Sequence, residues 1–320
     1  MNIISTDISK AVAILNAEGL VAIPTETVYG LAGNIFSEKA IKLIFEIKKR
    51  PFFNPLIVHI KSVDELLDIV SYVPEKAKLL ADAFWPGPLT LVLPKNSNIP
   101  DIITAGKDTV AVRIPNHPTA LELLRQLDFP LAAPSANPFG NISPTTAQHV
   151  NDYFKDAIQM VLDGGACERG IESTIIGFDG DQPVLYRLGS TSIEAIEAVV
   201  GPIEIMNKKE IAPEAPGMLE RHYAPTTQTI LVDNISEAIK KHSDKRIGIL
   251  AFQSYEKHKA IVFQIVLSET KDLQESASKL YDALHQLDKQ DIDLIIAERF
   301  PDFGLGKSIN DRLQRATVTA

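Results

Sequence analysis

The 320-residue sequence contains only one cysteine, Cys167, and one tryptophan. A single cysteine excludes an internal disulfide framework and a zinc site built from several cysteines, and we expect Cys167 to be a small buried residue. Basic side chains are in the minority, because 32 Lys and Arg face 41 Asp and Glu, for a formal charge of −9. Any binding of nucleic acid must therefore rest on a local basic patch.

Long apolar runs are also missing. No run reaches the roughly 18 residues that a bilayer-spanning helix requires. The first residues lack the basic stretch followed by an apolar stretch that is typical of a signal peptide. We therefore expect a cytoplasmic protein that makes no membrane contact.

The length predicts about two domains, at roughly 150 residues per domain. A segment with Pro213, Pro216, Gly217 and Pro225 favours extended backbone over helix and divides the chain. We predict a first domain over residues 1–206, a linker over 207–227 and a second domain over 228–320. Residues 1–205 hold 16 basic and 24 acidic side chains, so most of the negative charge lies in the first domain.

The second domain alternates short β-rich runs with helical periodicity. Runs at residues 229–232, 247–252, 261–266 and 292–297 are separated by stretches such as Ala277, Leu280, Tyr281, Leu284 and Leu287, which share one helical face. Strict alternation of strand and helix predicts a small parallel α/β layer of Rossmann-like type.

The first domain is a less regular mixture. Strands are predicted at residues 20–23, 56–60, 89–93, 110–114, 160–162 and 184–188. Ser37 can cap a helix that should end at Pro51, and Thr191 with Glu194 matches a capping box that opens another helix. The fold class predicted is therefore α/β, with a twisted mixed sheet and flanking helices followed by the smaller parallel domain.

Familiar ligand motifs fail. Gly306-Lys-Ser308 resembles the end of a phosphate-binding P-loop, but Pro301 stands where the first glycine is required. We expect this segment to be a turn before a helix. No His-Glu-x-x-His pattern is present, and we assign no metal ligands.

What remains is a series of polar clusters at the ends of predicted strands. They occupy residues 24–31, 48–59, 109–115, 132–146, 163–165, 171–175 and 186–189. Each has a structural alternative. The hydroxyls can cap helices, and Arg113 can protect an edge strand. The cations Lys48, Lys49 and Arg50 can complement a helix dipole. The functional interpretation is that hydroxyls and cations converge on a polyanionic ligand and a carboxylate.

Together and in this order, the clusters closely resemble the threonylcarbamoyl-AMP synthases, the family built on the YrdC-like domain. The matching segments are Pro24-Thr-Glu-Thr-Val-Tyr-Gly30, Lys48-Lys-Arg50-Pro51 with Asn54-Pro-Leu56, Phe84-Trp-Pro-Gly-Pro-Leu-Thr90, Val112-Arg-Ile-Pro115, Ala133-Pro-Ser-Ala-Asn137, Gly170-Ile-Glu-Ser-Thr174 and Arg187-Leu-Gly189. Ala215-Pro-Gly-Met218, Arg221-His-Tyr-Ala-Pro225 and Asn310-Asp-Arg-Leu313 resemble the longer, two-domain form.

The resemblance implies a nucleotidyltransferase reaction in which L-threonine, bicarbonate or carbon dioxide, and ATP give threonylcarbamoyl-adenylate and pyrophosphate. The product would feed the N6-threonylcarbamoyl modification of adenosine 37 in tRNA, through downstream transferase machinery. Mg²⁺ would accompany ATP, held mostly by phosphates and water. Weak direct binding of RNA is compatible with the sequence.

Carried over residue by residue, the resemblance implies two sets of ligands. Thr27, His59, Arg113, Ala133 and Ser173 would surround L-threonine, with Arg113 pairing the carboxylate. Lys48, Arg50, Asn54, Thr109, Ser135, Ser143, Arg187 and Tyr223 would hold ATP, with Tyr223 reaching over the nucleotide from the linker. No nucleophile or general acid or base is assigned, because this chemistry calls mainly for charge neutralisation and positioning.

Two alternatives stay open. A carbamoyl transferase of the hydrogenase-maturation type has a related domain, but this sequence lacks an acylphosphatase-like domain and zinc-finger cysteines. A non-catalytic RNA-binding module would use Lys48, Lys49 and Arg50 as its basic patch, although the −8 charge of residues 1–205 disfavours it.

Overall fold

A computed structural model describes residues 3–206 and 222–317 of the chain, which form two sheets. The first sheet contains β1–β11, at Ile4–Ser5, Val21–Ile23, Gly30–Asn34, Ile57–His59, Leu89–Pro94, Thr109–Arg113, Leu131–Ala132, Met160–Leu162, Thr174–Asp179, Gln182–Arg187 and Glu204–Ile205. Its helices α1–α8 are Ile8–Asn16, Glu38–Lys48, Leu66–Ile69, Glu75–Phe84, Asp101–Thr104, Pro118–Arg125, Ala147–Phe154 and Ile193–Val200.

The strands of this sheet lie in the order β1-β8-β2-β3-β7-β4-β6-β5-β9-β10-β11. The sheet is mixed, with parallel pairs such as β4 with β6 and antiparallel pairs such as β5 with β6. Two separate apolar clusters join the strands of this sheet to the helices. One contains Val58 and Val112, and the other contains Val21 and Leu131, so helices cover the sheet. The predicted mixed sheet with flanking helices is confirmed.

The second sheet contains β12–β15, at Thr229–Val232, Ile247–Ala251, Ile261–Val266 and Leu294–Glu298, with helices α9–α11 at Ile235–Lys241, Leu273–Asp288 and Leu305–Ala316. Its strands are all parallel in the order β12-β15-β13-β14. This arrangement confirms the predicted Rossmann-like layer. Helix α11 begins at Leu305 after a turn at Gly304, so Gly306-Lys-Ser308 belongs to the first turn of the helix and not, as expected, to a turn before it.

Helix α2 shows how local sequence sets an element. The Ser37 side chain accepts a hydrogen bond from the Ala40 amide and starts the helix, as predicted. Ile41, Ile44 and Phe45 are buried on one face. The helix ends where Lys49 takes a left-handed conformation with φ of 53°, two residues before Pro51.

Some local predictions need correction. The residue that caps α8 is Ser192, which accepts from the Ala195 amide, so the predicted capping box at Thr191 is one residue early. The Thr191 carbonyl instead accepts a hydrogen bond from the hydroxyl of Thr174, and this bond links Thr191 to β9. Strand β3, Gly-Leu-Ala-Gly-Asn, was not predicted because it contains no β-branched residue and is defined by pairing with β2 and β7.

The two sheets share one apolar cluster. Tyr281, Leu284 and Leu313 of the second domain pack in the same cluster as Ile142 and Ile171 of the first. Of the predicted linker at residues 207–227, residues 207–221 lie outside the described residues. The predicted domain boundaries therefore stay a prediction. Within the described chain, none of the helices combines the length and apolar character that a bilayer crossing demands.

Candidate active site

A cavity opens where several strands of the first sheet end beside the second domain. It is lined by Thr25, Thr27, Val28, Gly30, Arg50, Ile57, His59, Arg113, Ala133, Pro134, Ser135, Glu172, Ser173, Arg187, His222 and Tyr223. The five residues predicted to surround L-threonine all lie in this lining. Of the residues predicted to hold ATP, Arg50, Ser135, Arg187 and Tyr223 also line it.

Arg113 ends β6 and defines one wall of the cavity. Its Nε donates to the Gly87 carbonyl at 3.2 Å, and its Nη1 donates to the Thr27 hydroxyl at 3.0 Å. Its Nη2 lies 2.5 Å from Oε1 of Glu26 in a buried ion pair. The guanidinium is therefore a buried cation with a fixed plane, suited to binding a carboxylate.

His59 lies opposite Arg113 in the register of β4 and β6. Its Nδ1 is 3.3 Å from the Ile57 carbonyl, which can only accept, so Nδ1 carries the proton and Nε2 is left as an acceptor. Burial lowers the pKa of His59 to about 3, and the charge of Arg113 adds to the effect. The ring is consequently neutral at physiological pH.

Ser173 and Arg187 form a second wall at the start of β9 and the end of β10. Nη2 of Arg187 donates to the carbonyl and the hydroxyl of Ser173 at 2.8 and 3.1 Å. The Ser173 hydroxyl is also 2.8 Å from that of Thr90. Burial lowers the pKa of Arg187, so this cation gains from an anion placed beside it.

Arg50 brings a third cation to the cavity from the loop that follows α2. Its Nη2 donates to Oδ1 of Asn54 at 2.7 Å and to the Pro55 carbonyl at 2.8 Å. Burial lowers the pKa of Arg50 to about 9, and the charge of Arg187 contributes. Three arginines on one lining favour a ligand with several negative charges.

Four of the residues predicted to hold ATP lie outside the lining. Nζ of Lys48 donates to the carbonyls of Ser135 and Asn137 and so shapes the loop that carries Ser135. Asn54 orients Arg50, and Ser143 donates to Glu172 at 2.6 Å. Thr109 pairs with Pro94 at the opposite end of β6 from Arg113.

Tyr223 and His222 come to the cavity from the segment between the two sheets. The Tyr223 ring packs 5.7 Å from that of Tyr281, and the guanidinium carbon of Arg312 lies 4.8 Å from its centroid. The Tyr223 hydroxyl is buried and has no hydrogen-bond partner among the described residues. Burial lowers the pKa of His222 far below its usual value, and Arg50 and Lys48 contribute.

Sequence reasoning missed a polar network around Glu172. The carboxylate accepts from Ser143 and from Nε of Arg312 at 2.9 Å, and the Tyr281 hydroxyl lies 3.0 and 3.1 Å from its two oxygens. Burial alone would raise the pKa of Glu172, but Arg312 and Arg187 outweigh burial and lower it. Glu172 and Arg312 both stand in segments that resemble the family, yet only folding brings them together.

Comparisons with known proteins identify the family of each domain. Residues 13–189 match a family model described as telomere recombination, which covers the Sua5, YciO and YrdC proteins. Residues 191–318 match a model described as the threonylcarbamoyl-AMP synthase C-terminal domain. The second match separates this chain from proteins that share only the first domain.

Curated relatives match along nearly the whole chain. A threonylcarbamoyl-AMP synthase of Pyrococcus abyssi is 43% identical over 93% of this chain and 90% of its own length. One of Bacillus subtilis is 42% identical over 97% and 92%. The crystal structure of P. abyssi Sua5 complexed with L-threonine superposes with a TM-score of 0.90, at 42% identity, over 97% of this chain and 94% of that one.

The chain therefore belongs to the threonylcarbamoyl-AMP synthase family, in its two-domain form. It is an enzyme of that activity, with a YrdC-like sheet domain followed by the family's C-terminal domain.

Proposed function

We propose that the cavity forms threonylcarbamoyl-adenylate and pyrophosphate from L-threonine, bicarbonate or carbon dioxide, and ATP. The observation that carries the proposal is that Arg113, Thr27 and His59 line one cavity together with two further arginines, Arg50 and Arg187. The first group suits a small zwitterion with a carboxylate, and the second suits a triphosphate. The solved relative that contains L-threonine supports the first assignment.

The reaction requires two bond-forming steps. The threonine amine attacks the carbon of bicarbonate with loss of water, or that of carbon dioxide with loss of a proton from the nitrogen, to give an N-carboxylated threonine. A carboxyl oxygen of that group then attacks the α-phosphorus of ATP, and the bond to the bridging oxygen breaks to release pyrophosphate. Arg50 and Arg187 stabilise charge on the phosphates, and the carboxylate contact of Arg113 holds threonine in place.

The substrate is expected to be the magnesium complex of ATP. Within the described part of the chain, no three His, Cys, Asp or Glu side chains are grouped closely enough to hold a metal ion. Glu172, the carboxylate in the lining, is already bonded to Arg312 and Ser143. We propose that phosphate oxygens and water supply most of the ligands of Mg²⁺, which then needs few from the protein.

Further assignments follow from the proposed product. An adenylate of this kind is consumed by transferase machinery that modifies adenosine 37 of tRNA, so we place the enzyme in the cytoplasm beside those partners. Direct contact with tRNA is proposed to be weak, since the chain is acidic overall.

Pyrophosphate release tests the proposal. Turnover should require both threonine and bicarbonate, and serine should be a poorer substrate. R113M should raise the threonine KM about 10- to 100-fold, equivalent to roughly 1.5–3 kcal/mol for a charge-assisted hydrogen bond, and should leave the ATP KM within about twofold. A salt-sensitive affinity for tRNA without any nucleotide turnover would instead favour the RNA-binding alternative.

A further inference from the structure

Glu26 is a buried carboxylate beside the cavity that has no role so far. It is 2% exposed and is absent from the lining, although its neighbours Thr25 and Thr27 are both in it. Its Oε1 lies 2.5 Å from Nη2 of Arg113. Apart from this ion pair, neither carboxylate oxygen has a hydrogen-bond partner among the residues that the structure describes.

A buried carboxylate without hydrogen-bond donors is unfavourable unless a cation compensates for it. Arg113 is the cation within ion-pair distance of Glu26 in the described chain. The contact is equally important for Arg113, because its Nη2 has no other partner among the described residues. Each group therefore depends on the other. Any effect of Glu26 on the cavity must be exerted through Arg113.

The contacts of Arg113 indicate what that effect is. Gly87 holds Nε, Thr27 holds Nη1 and Glu26 holds Nη2. Thr27 is itself 2.9 Å from the hydroxyl of Thr25. Three contacts on three nitrogens fix the guanidinium plane, and only Glu26 supplies one with an opposite charge.

We propose that Glu26 is a positioning residue for threonine, which aims the Arg113 guanidinium into the cavity without touching the substrate. The proposal rests on the proposed function, since it takes the carboxylate of threonine as the group that Arg113 binds. A guanidinium has five N–H donors, so it can serve Glu26 and a substrate carboxylate together. A bidentate contact depends steeply on orientation, so a freed guanidinium binds less well.

The test is a double-mutant cycle of E26Q and R113M, with the threonine KM, the ATP KM and kcat measured by pyrophosphate release. E26Q keeps the size of the side chain and removes its charge. It should raise the threonine KM about 10-fold and leave the ATP KM and kcat within about twofold. The double variant should have the threonine KM of R113M, because a positioning residue has no further effect once its partner is absent. E26D should recover only part of the loss, because its carboxylate is one methylene farther from Arg113.

Two results would overturn the proposal: a threonine KM of folded E26Q that is equal to or below that of the native enzyme, or additive effects in the cycle. If E26Q does not fold, E26D takes its place, because it keeps the charge but withdraws it from Arg113. A threonine KM of E26D above that of the native enzyme then supports the proposal, and an equal value contradicts it.

Calorimetric titration with L-threonine alone separates this proposal from the proposed function. If the native protein binds threonine but releases no pyrophosphate, the proposed function fails while the titrations still decide the role of Glu26. A 10-fold weaker threonine affinity of E26Q supports that role, and an unchanged affinity rejects it.

Discussion

Two buried arginine–glutamate pairs flank the cavity, and they present opposite charges to it. In the pair within the first domain, Arg113 lines the cavity and Glu26 does not. In the pair between the domains, Glu172 lines the cavity and Arg312 does not. Glu172 accepts from Ser143 as well as from Arg312, whereas the Glu26 carboxylate has no partner among the described residues besides Arg113.

This difference in hydrogen bonding indicates a different role for each pair. A fully hydrogen-bonded carboxylate between two domains fixes their arrangement, because every partner must be in place at once. In the pair within the first domain, each guanidinium nitrogen of Arg113 has one contact, so two of its five N–H donors are left for a ligand. We therefore expect the interdomain pair to dominate stability and the pair within the first domain to dominate threonine binding.

The largest expected effect comes from breaking the interdomain pair with R312M. The substitution leaves Glu172 buried without its cation and removes the guanidinium beside Tyr223. The free energy of unfolding should fall by about 3–5 kcal/mol, which urea denaturation at neutral pH measures.

The matched control is the double variant E172Q/R312M, which removes both charges and should recover most of the lost stability. A loss below about 1 kcal/mol in R312M would show that this pair does not hold the domains together.

The stability of the protein should depend on acid pH through two buried histidines, one in each domain. His59 stands on the Arg113 wall, while His285 of α10 stacks 3.9 Å from His149 of the first domain. Burial lowers the pKa of each to about 3, with contributions from Arg113 and His149 respectively. The unfolded chain, with a histidine pKa near 6.5, therefore binds more protons between pH 3 and 6.5, and stability falls as the pH falls through that window.

At pH 5 each histidine should lower the free energy of unfolding by about 2 kcal/mol relative to pH 7.5. H59Q and H285Q should each remove about that amount from the difference between denaturation curves at the two pH values. If the difference is unchanged in either variant, that ring is already protonated in the folded state.

The smallest effect should come from an exposed interdomain pair. Nζ of Lys289 lies 2.6 Å from Asp152, but 57% of the lysine side chain is exposed to solvent. K289A should cost about 0.2–1 kcal/mol in thermal or urea denaturation, and less at high salt, because water and ions screen the pair. If K289A lost as much stability as R312M, burial would not explain the difference in stability that we expect between the two pairs.

Much of the site was predictable because its residues stand at the ends of strands. Alternation along β6 places Val110 and Val112 in the core and Arg113 at the strand end, as the sequence predicts. The β4–β6 register then sets His59 beside it. Lys48 was harder to place, because the sequence gives its charge but not that two loop carbonyls would bind it.

Composition, strand and helix periodicity and a series of short motifs determine the α/β class and the family of this chain, since these depend on local order along the sequence. Glu172 and Arg312 stand 140 positions apart, and Glu26 and Arg113 stand 87 apart. Neither pairing leaves a local signal, because each is made by packing one element against another. Tertiary structure alone decided which charges face the cavity and which lie behind them.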